Sequence, residues 1–382
     1  MKDRIYLDYA ATTPVSDEAL KAMMPYFSEK WGNPSGVYAS AREGRRAVEN
    51  ARKLVAALIG AEPQEICFTS GGSESDNLAV RGTAYALKEK GRHIITSAIE
   101  HHAVLDTCRQ LEKNGFEVSY ILPDRDGRID PAKIREAIRE DTILVTVMSA
   151  NNEIGTIEPI AEIAEAAQEK GIVFHTDAVQ AAGTVPLDVK ACGADLLSIS
   201  AHKIYGPKGT GALYIRQGTK LAPQITGGNQ EKKMRAGTEN VPAIAGFGEA
   251  ARIAAENLEV NADHNRRMRD RLINSILSTV PGSALNGGRE NRLPNNCSFR
   301  FEGIDGEALL LRLDLAGVEA SAGSACTAGS PESSHVLKAI GLTEEQAKSS
   351  LRLTTGRYTR EKEIDETARL IREITADLRT MG

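Results

Sequence analysis

Lys203 ends the run Ser200-Ala201-His202-Lys203, with Asp177-Ala178-Val179-Gln180 upstream and Gly206-Pro207-Lys208-Gly209 just beyond. A lysine amine can hold an aldehyde as a Schiff base, and a carboxylate can keep a pyridine nitrogen protonated so that the ring draws electrons from a neighbouring carbon. Alone, a lysine is far more often a solvated surface group. Here the apolar run Asp195-Leu196-Leu197-Ser198-Ile199 reads as a buried strand, which delivers Ser200, His202 and Lys203 to the edge where α/β sheets bind ligands. Asp177 follows a second such strand, Ile172-Val173-Phe174-His175. Pyridoxal phosphate is the cofactor that uses this pair.

Its phosphate needs a cradle. Phe68-Thr69-Ser70-Gly71-Gly72-Ser73-Glu74-Ser75 passes from a strand through two glycines into a helix predicted to begin near Ser73. Glycine admits close backbone approach, and a helix N-terminus offers free N–H groups and roughly half a positive charge. A glycine pair alone more often marks a plain tight turn. With Ser200 and His202 added, Gly72 and Ser73 form a predicted phosphate cup. Gln180, and Asn152 in Asn151-Asn152-Glu153-Ile154-Gly155, can donate to the phenolic oxygen of the ring or serve as ordinary loop amides. His101, in Glu100-His101-His102-Ala103, can stack on the ring and shuttle protons near neutral pH, although either adjacent imidazole fits that place.

Cys326 sits among small and polar residues, from Ser321-Ala322-Gly323-Ser324-Ala325 to Thr327-Ala328-Gly329-Ser330-Pro331-Glu332-Ser333-Ser334. That is a poor place to bury a structural thiol, whereas a thiol on a loop can enter a site, attack and withdraw. Cys67, Cys108, Cys192 and Cys297 lie in apolar or periodic surroundings and read as packing residues. Arg352, in Ser350-Leu351-Arg352-Leu353-Thr354, offers a planar fork suited to a substrate carboxylate or to a structural ion pair.

The elements that must position these groups alternate through the first two thirds of the chain. Predicted strands are Glu65 to Thr69, His93 to Thr96, Val118 to Leu122, Ile143 to Met148, Ile172 to His175, Leu196 to Ser200 and Ala212 to Ile215. Amphipathic helices lie between them, the pattern of a mostly parallel seven-stranded sheet covered on both faces. One helix places Ala47, Val48, Ala51, Leu54, Val55 and Leu58 on a single face and stops at Gly60. After about residue 255, long charged helices at Asn261 to Ser278 and Glu361 to Leu378 surround strands near Ser298, Val318 and Leu351, which predicts a smaller α+β domain.

With 382 residues and 41% hydrophobic content the chain can build more than one core. Lys+Arg total 47 against 52 Asp+Glu, a net charge of -5, so no nucleic-acid partner is expected. The 5 cysteines are widely spaced and include no C-x-x-C, which argues against a zinc ribbon or a disulfide framework, and no metal site is read. Met1-Lys2-Asp3-Arg4-Ile5-Tyr6 lacks a signal-peptide apolar run, and no stretch is apolar enough to span a bilayer. A soluble protein of the reducing cytoplasm, without a membrane partner, is expected.

Together these motifs resemble the cysteine desulfurases, class V enzymes of the aspartate aminotransferase-like superfamily. The resemblance runs nearly end to end through Tyr6 to Pro14, Gly32-Asn33-Pro34-Ser35, Ser70 to Asn77, Glu100-His101, Asn151 to Gly155, Asp177 to Gln180, Ser200 to Gly209, Arg235-Ala236-Gly237-Thr238 and Gly323 to Thr327. Asn229 and Ser73 depart from the usual pattern, standing where the family commonly has glycine and threonine. The resemblance implies the aspartate aminotransferase-like fold, with a large domain at 14–256 and a small one at 257–382 against which residues 1–13 pack. It further implies a homodimer in which Thr238 of one subunit reaches the other's phosphate, Lys203 carrying the cofactor, His101 stacking on it, and Cys326 accepting sulfur; Asn152 and Arg352 are expected to bind substrate. The long polar loop after Cys326 is similar to that of the iron–sulfur assembly group. The implied reaction takes L-cysteine to L-alanine, leaves a persulfide on Cys326, and passes the sulfur to an iron–sulfur scaffold or a tRNA thiolation enzyme. A selenocysteine lyase, another lyase of the same fold, or a non-catalytic scaffold for iron–sulfur assembly are the alternatives.

Overall fold

The structure, a computed structural model, describes residues 4–322 and 333–381. A short strand β1 (Ile5–Tyr6) precedes the main sheet, made of β2 (Ile66–Thr69), β3 (His93–Ser97), β4 (Glu117–Ile121), β5 (Thr142–Thr146), β6 (Val173–Asp177), β7 (Leu196–Ser200) and β8 (Gly211–Ile215). All seven main-sheet strands lie within two residues of the positions set by the apolar runs. Their spatial order is β2-β8-β7-β6-β5-β3-β4. Only β8 runs against its neighbours. Helices on both faces bury strands such as β3, β5 and β7 completely, which is why those segments read as unbroken apolar runs rather than alternating ones.

The helix predicted around Val48, Ala51, Val55 and Leu58 spans Ala39–Leu58 and ends before Gly60, whose φ is +68°. It begins two turns earlier than its apolar stripe because the contacts there are made by Ala41 and Gly44, which carry little hydrophobic signal. It packs closely on the helix Val241–Glu256: a Cβ added at Gly248 would stand 2.6 Å from the Cα of Ala51.

The second unit contains β9 (Ser283–Leu285), β10 (Asn296–Phe301), β11 (Val318–Glu319), β12 (Ser321–Ala322) and β13 (Ser350–Thr354). Four of them form an antiparallel sheet in the order β12-β13-β10-β9, while β11 pairs with β1. Helices Leu258–Thr279, Gly306–Ala316 and Glu361–Met381 accompany this sheet. Phe299, Phe301, Leu272, Leu309, Leu353 and Ile364 make a separate core that also takes in Leu7. Val336 and Leu337 instead join the core of the main sheet.

From Leu7 the chain crosses between the two units. Thr354 N donates to Leu7 O at 2.7 Å, Ala10 N to Thr354 Oγ1 at 2.8 Å and Thr13 N to His202 O at 3.0 Å. The crossing segment thereby fixes β13 of the second unit against the turn that follows β7.

Candidate active site

The carboxyl ends of the parallel strands converge as open α/β sheets require. Beyond β7, Ala201–Lys203 forms a single 3₁₀ turn, and Tyr205 takes a left-handed φ of 65°. Lys203 Nζ donates to the carbonyls of Ala10 and Ala11, at 2.5 and 2.7 Å. Gln180 Nε2 donates to the same Ala10 carbonyl at 3.0 Å, and His202 Nδ1 lies 3.1 Å from Thr12 Oγ1. Burial, helped by Lys203 and Lys208, lowers the His202 pKa to about 4, so its ring is neutral.

Asp177 closes β6, buried, and its Oδ1 accepts from Val179 N at 2.9 Å. Burial raises its pKa against the opposing pull of His101, the Val179 amide and Lys203. His101 caps the helix His102–Glu112, its Nδ1 accepting from Ala103 N at 3.1 Å, which leaves Nε2 to carry the proton of the neutral ring. Burial chiefly, then Lys203 and His102, lower its pKa, while Asp177 acts the other way. The adjacent imidazoles separate here. His102 packs against His335 with centroids 4.8 Å apart and the rings tilted by 58°, whereas His101 is the ring in the field of Asp177 and Lys203.

Gly71 and Gly72 serve different ends at the start of the helix Gly72–Leu87. A Cβ at Gly72 would meet Val179 Cγ2 at 2.7 Å, so glycine there permits close packing. Gly71 has φ +154°, and a Cβ on it would find nothing nearer than Ser200 Oγ at 4.0 Å, so the space before the helix N-terminus stands open beside Ser200. Ser73 is exposed in the first turn. Thr238 lines a cleft of about 250 Å³ with Thr69, Ser70, Thr210 and Arg235. Its segment is tied down by Arg235–Glu74 at 2.9 Å and by a buried pair in which Arg52 Nη1 and Nη2 each donate to Glu231 at 2.8 Å.

Arg352 is buried on β13. Its Nη2 donates to Asp8 Oδ1 at 2.7 Å and its Nη1 to Asn152 O at 3.0 Å, while its Nε has no partner among the described residues. Nearby, Ser321 Oγ donates to Asp8 Oδ2 at 3.1 Å and Ser334 Oγ to the buried Glu153 at 2.5 Å. Burial raises Glu153 to about 7, against the pull of Ser334 and Arg352. Cys326 lies outside the described residues, between those two serines in the chain. The other four cysteines are buried, as the packing reading expects.

Two groups of residues make contacts at the candidate site that the motifs did not single out. Ala10 and Ala11 act through backbone carbonyls, which leave no side-chain signal, although their motif was recognisable. Asp76, Glu100 and His175 form a buried polar layer beneath Asp177. Asp76 and Glu100 fall within the recognised spans Ser70 to Asn77 and Glu100-His101 without being singled out there, and His175 is a polar residue in a strand that otherwise reads as packed.

Residues 5–367 match the class-V aminotransferase family, and the chain belongs to it. The whole chain is 52% identical to the cysteine desulfurase IscS of Dictyoglomus turgidum, covering 97% of that protein. Over 99% of its length it is 52% identical to the cysteine desulfurase IscS of Methanosarcina thermophila, covering 93% of that protein. Among solved structures it is similar to a NifS-like protein with TM-score 0.92 at 37% identity, over 98% of this chain and 100% of the other. It is also similar to SspA in complex with cysteine, with TM-score 0.83 at 39% identity over 93% of this chain and 100% of the other. Within the class, its place is among the cysteine desulfurases, which are pyridoxal phosphate enzymes.

Proposed function

We propose that this desulfurase binds pyridoxal phosphate at Lys203, converts L-cysteine to L-alanine, and carries the sulfur on Cys326 as a persulfide for an acceptor protein. The observation that carries the reading is the convergence of Lys203, Asp177 and His101 beside the open cradle at Gly71. A buried carboxyl facing two nitrogen groups, next to open space at a helix N-terminus, fits the cofactor's cationic ring nitrogen at one end and its dianion at the other. When bound, the cofactor supplies an electron sink for charge developing at the substrate α-carbon. Lys203 would hold it, Asp177 would face its ring nitrogen, His101 its ring, and Gly72, Ser73, Ser200 and His202 its phosphate. Gln180 and Asn152 would donate to its ring oxygen.

The remaining chemistry belongs to the chain. The Ala10 and Ala11 carbonyls receive the Lys203 amine when it is released, keeping it in the site as the base that takes and returns the α-proton. Arg352, held by Asp8 and Asn152 O with Nε to spare, would take the substrate carboxylate together with the Asn152 side chain. The Cys326 thiolate attacks the substrate sulfur. The carbon–sulfur bond breaks, the sulfur stays on Cys326, and the carbon skeleton leaves as alanine.

A homodimer is supported by an exposed apolar series, Leu20, Met24, Phe27, Trp31, Val37 and Tyr38, of the kind a partner surface covers. In such a dimer Thr238 would serve the partner's phosphate site. The acceptor would be an iron–sulfur scaffold or a tRNA thiolation enzyme. Residues 14–256 would form the cofactor domain and 257–382 the smaller one, with 1–13 packed on it, a division supported by the separate core that gathers Leu7 with Leu272, Phe299 and Leu353, although Leu293, Val336 and Leu337 cross it to join the main-sheet core. Among the described residues no helix is long and apolar enough to cross a membrane, and a cytoplasmic location is proposed.

The test is alanine release from L-cysteine by the cofactor-loaded protein with a thiol reductant, run beside L-selenocysteine, with mass analysis of Cys326. Alanine from cysteine with persulfide on Cys326 supports the reading. Release from selenocysteine alone would make the chain a selenocysteine lyase, and release from neither would leave a scaffold.

A further inference from the structure

Behind Asp177 lies a second carboxyl for which the reaction above has no use. Asp76 reaches in from the helix Gly72–Leu87, whose first turn borders the open cradle. It is 1% exposed, and its Oδ1 has no hydrogen-bond partner among the described residues. His175 Nε2 stands 3.7 Å from that oxygen but cannot supply a counter-charge. The ring is fully buried, its Nδ1 engaged with Thr146 Oγ1 at 2.8 Å and its Nε2 with Ser198 Oγ at 3.0 Å. Burial lowers its pKa to about 3, so it is neutral.

The charges around the two carboxyls are arranged asymmetrically. Asp177 feels His101 and Lys203, both of which favour its ionised form. Asp76 feels Asp177 from β6, Glu100 from the loop after β3, and the Ser198 hydroxyl from β7, with no cation among them. Two neighbouring buried carboxyls cannot both ionise cheaply, and unequal surroundings decide which one keeps the proton. The nitrogen groups that favour an ionised carboxyl, Lys203 and His101, both act on Asp177 and neither on Asp76.

We infer that Asp76 is a positioning residue of the cofactor site: it stays a neutral acid behind Asp177, so that the carboxyl pair presents one negative charge, carried by Asp177, to the ring nitrogen. This rests on the cofactor reading above. A neutral Asp76 also explains how an oxygen without a partner is tolerated at the centre of the molecule, since burying an unpaired carboxylate is far more costly than burying the acid.

The experiment is infrared difference spectroscopy on the pyridoxal phosphate-loaded protein at about pH 8, far above the ordinary aspartate value near 3.9. The protein carries aspartate labelled with carbon-13 in its carboxyl group, which separates aspartic from glutamic acid bands. Cofactor absorbance is recorded first: a wild type that retains no cofactor overturns the reading of the site and this proposal with it. With cofactor held, the expected result is a labelled, protonated-carboxyl band that disappears in Asp76→Asn. The pH midpoint of the bound cofactor's absorbance should stay within about half a unit, a threefold change, because an amide replaces a neutral acid. Asp76→Ala serves the same subtraction if the amide variant fails to fold. A wild type without any labelled acid band overturns the proposal. So does an Asp76→Asn midpoint displaced by about one unit or more, a tenfold change, which would mean that Asp76 had carried charge.

Discussion

At the scale of single residues, the site divides by whether a group acts through its side chain. Lys203, Asp177 and His101 were legible because each follows an apolar strand, and strand ends are where parallel sheets place chemistry. Ala10 and Ala11 were not, because a carbonyl that receives a lysine belongs to every residue type. Two predictions belong here. Lys203→Ala should retain no cofactor after borohydride reduction, whereas wild type should gain the reduced cofactor's mass on Lys203. Cys326→Ala should keep the wild-type cofactor spectrum while alanine formation falls by on the order of a thousandfold or more, as when other enzymes lose their nucleophile. Normal turnover by that variant would remove Cys326 from the mechanism.

At the scale of elements, small residues decide how closely the pieces approach, and periodicity is blind to them. The helix Ala39–Leu58 announced its apolar stripe but not its first two turns, where Ala41 and Gly44 make the contact. The same economy sets the glycine turn. Gly72→Ala places a methyl 2.7 Å from Val179 Cγ2, just beyond Asp177, so either Val179 or the helix N-terminus must shift. The expected outcome is a roughly tenfold weaker cofactor dissociation constant with nearly unchanged thermal stability, read by absorbance titration. Glu231→Gln breaks the buried pair with Arg52 that anchors the Thr238 segment. Leaving the buried guanidinium with only the exposed Glu49 carboxylate, 3.1 Å from its Nε, should lower unfolding free energy by about 3 kcal/mol, the low end for a broken buried pair, in a urea titration.

Across the whole molecule, the order of strands was the least legible property. Burial looks alike for a parallel and an antiparallel strand in the middle of a sheet, so the apolar run at Ala212 to Ile215 gave no sign that β8 runs backwards between β2 and β7. The buried acids have a global effect. Burial raises Glu100 and Glu158 to about 8 and Glu153 to about 7. Each exceeds its unfolded value near 4.3, so the folded state binds extra protons and stability is lost as pH climbs toward the folded values. Below about pH 6.5 this is opposed by His175 and His202, lowered to about 3 and about 4, whose neutral burial makes stability rise with pH. Between about pH 6.5 and 8 the acids prevail, and the urea midpoint should fall. Glu158→Gln should flatten that decline by on the order of 1 kcal/mol per pH unit, and an unchanged slope would show that Glu158 is ionised when folded.

The crossing segment also sets a timetable for biosynthesis. Ala10 and Ala11 leave the ribosome among the first residues, yet part of what pins them in place, Thr354 against Leu7 and Ala10, and Arg352 against Asp8, is translated near the end. A nascent chain thus owns its glycine turn, its lysine and the bonds from Gln180 and His202 to the crossing segment long before the second unit fastens that segment's other edge. A cofactor bound at Lys203 would therefore meet a half-fastened segment until β13 has emerged.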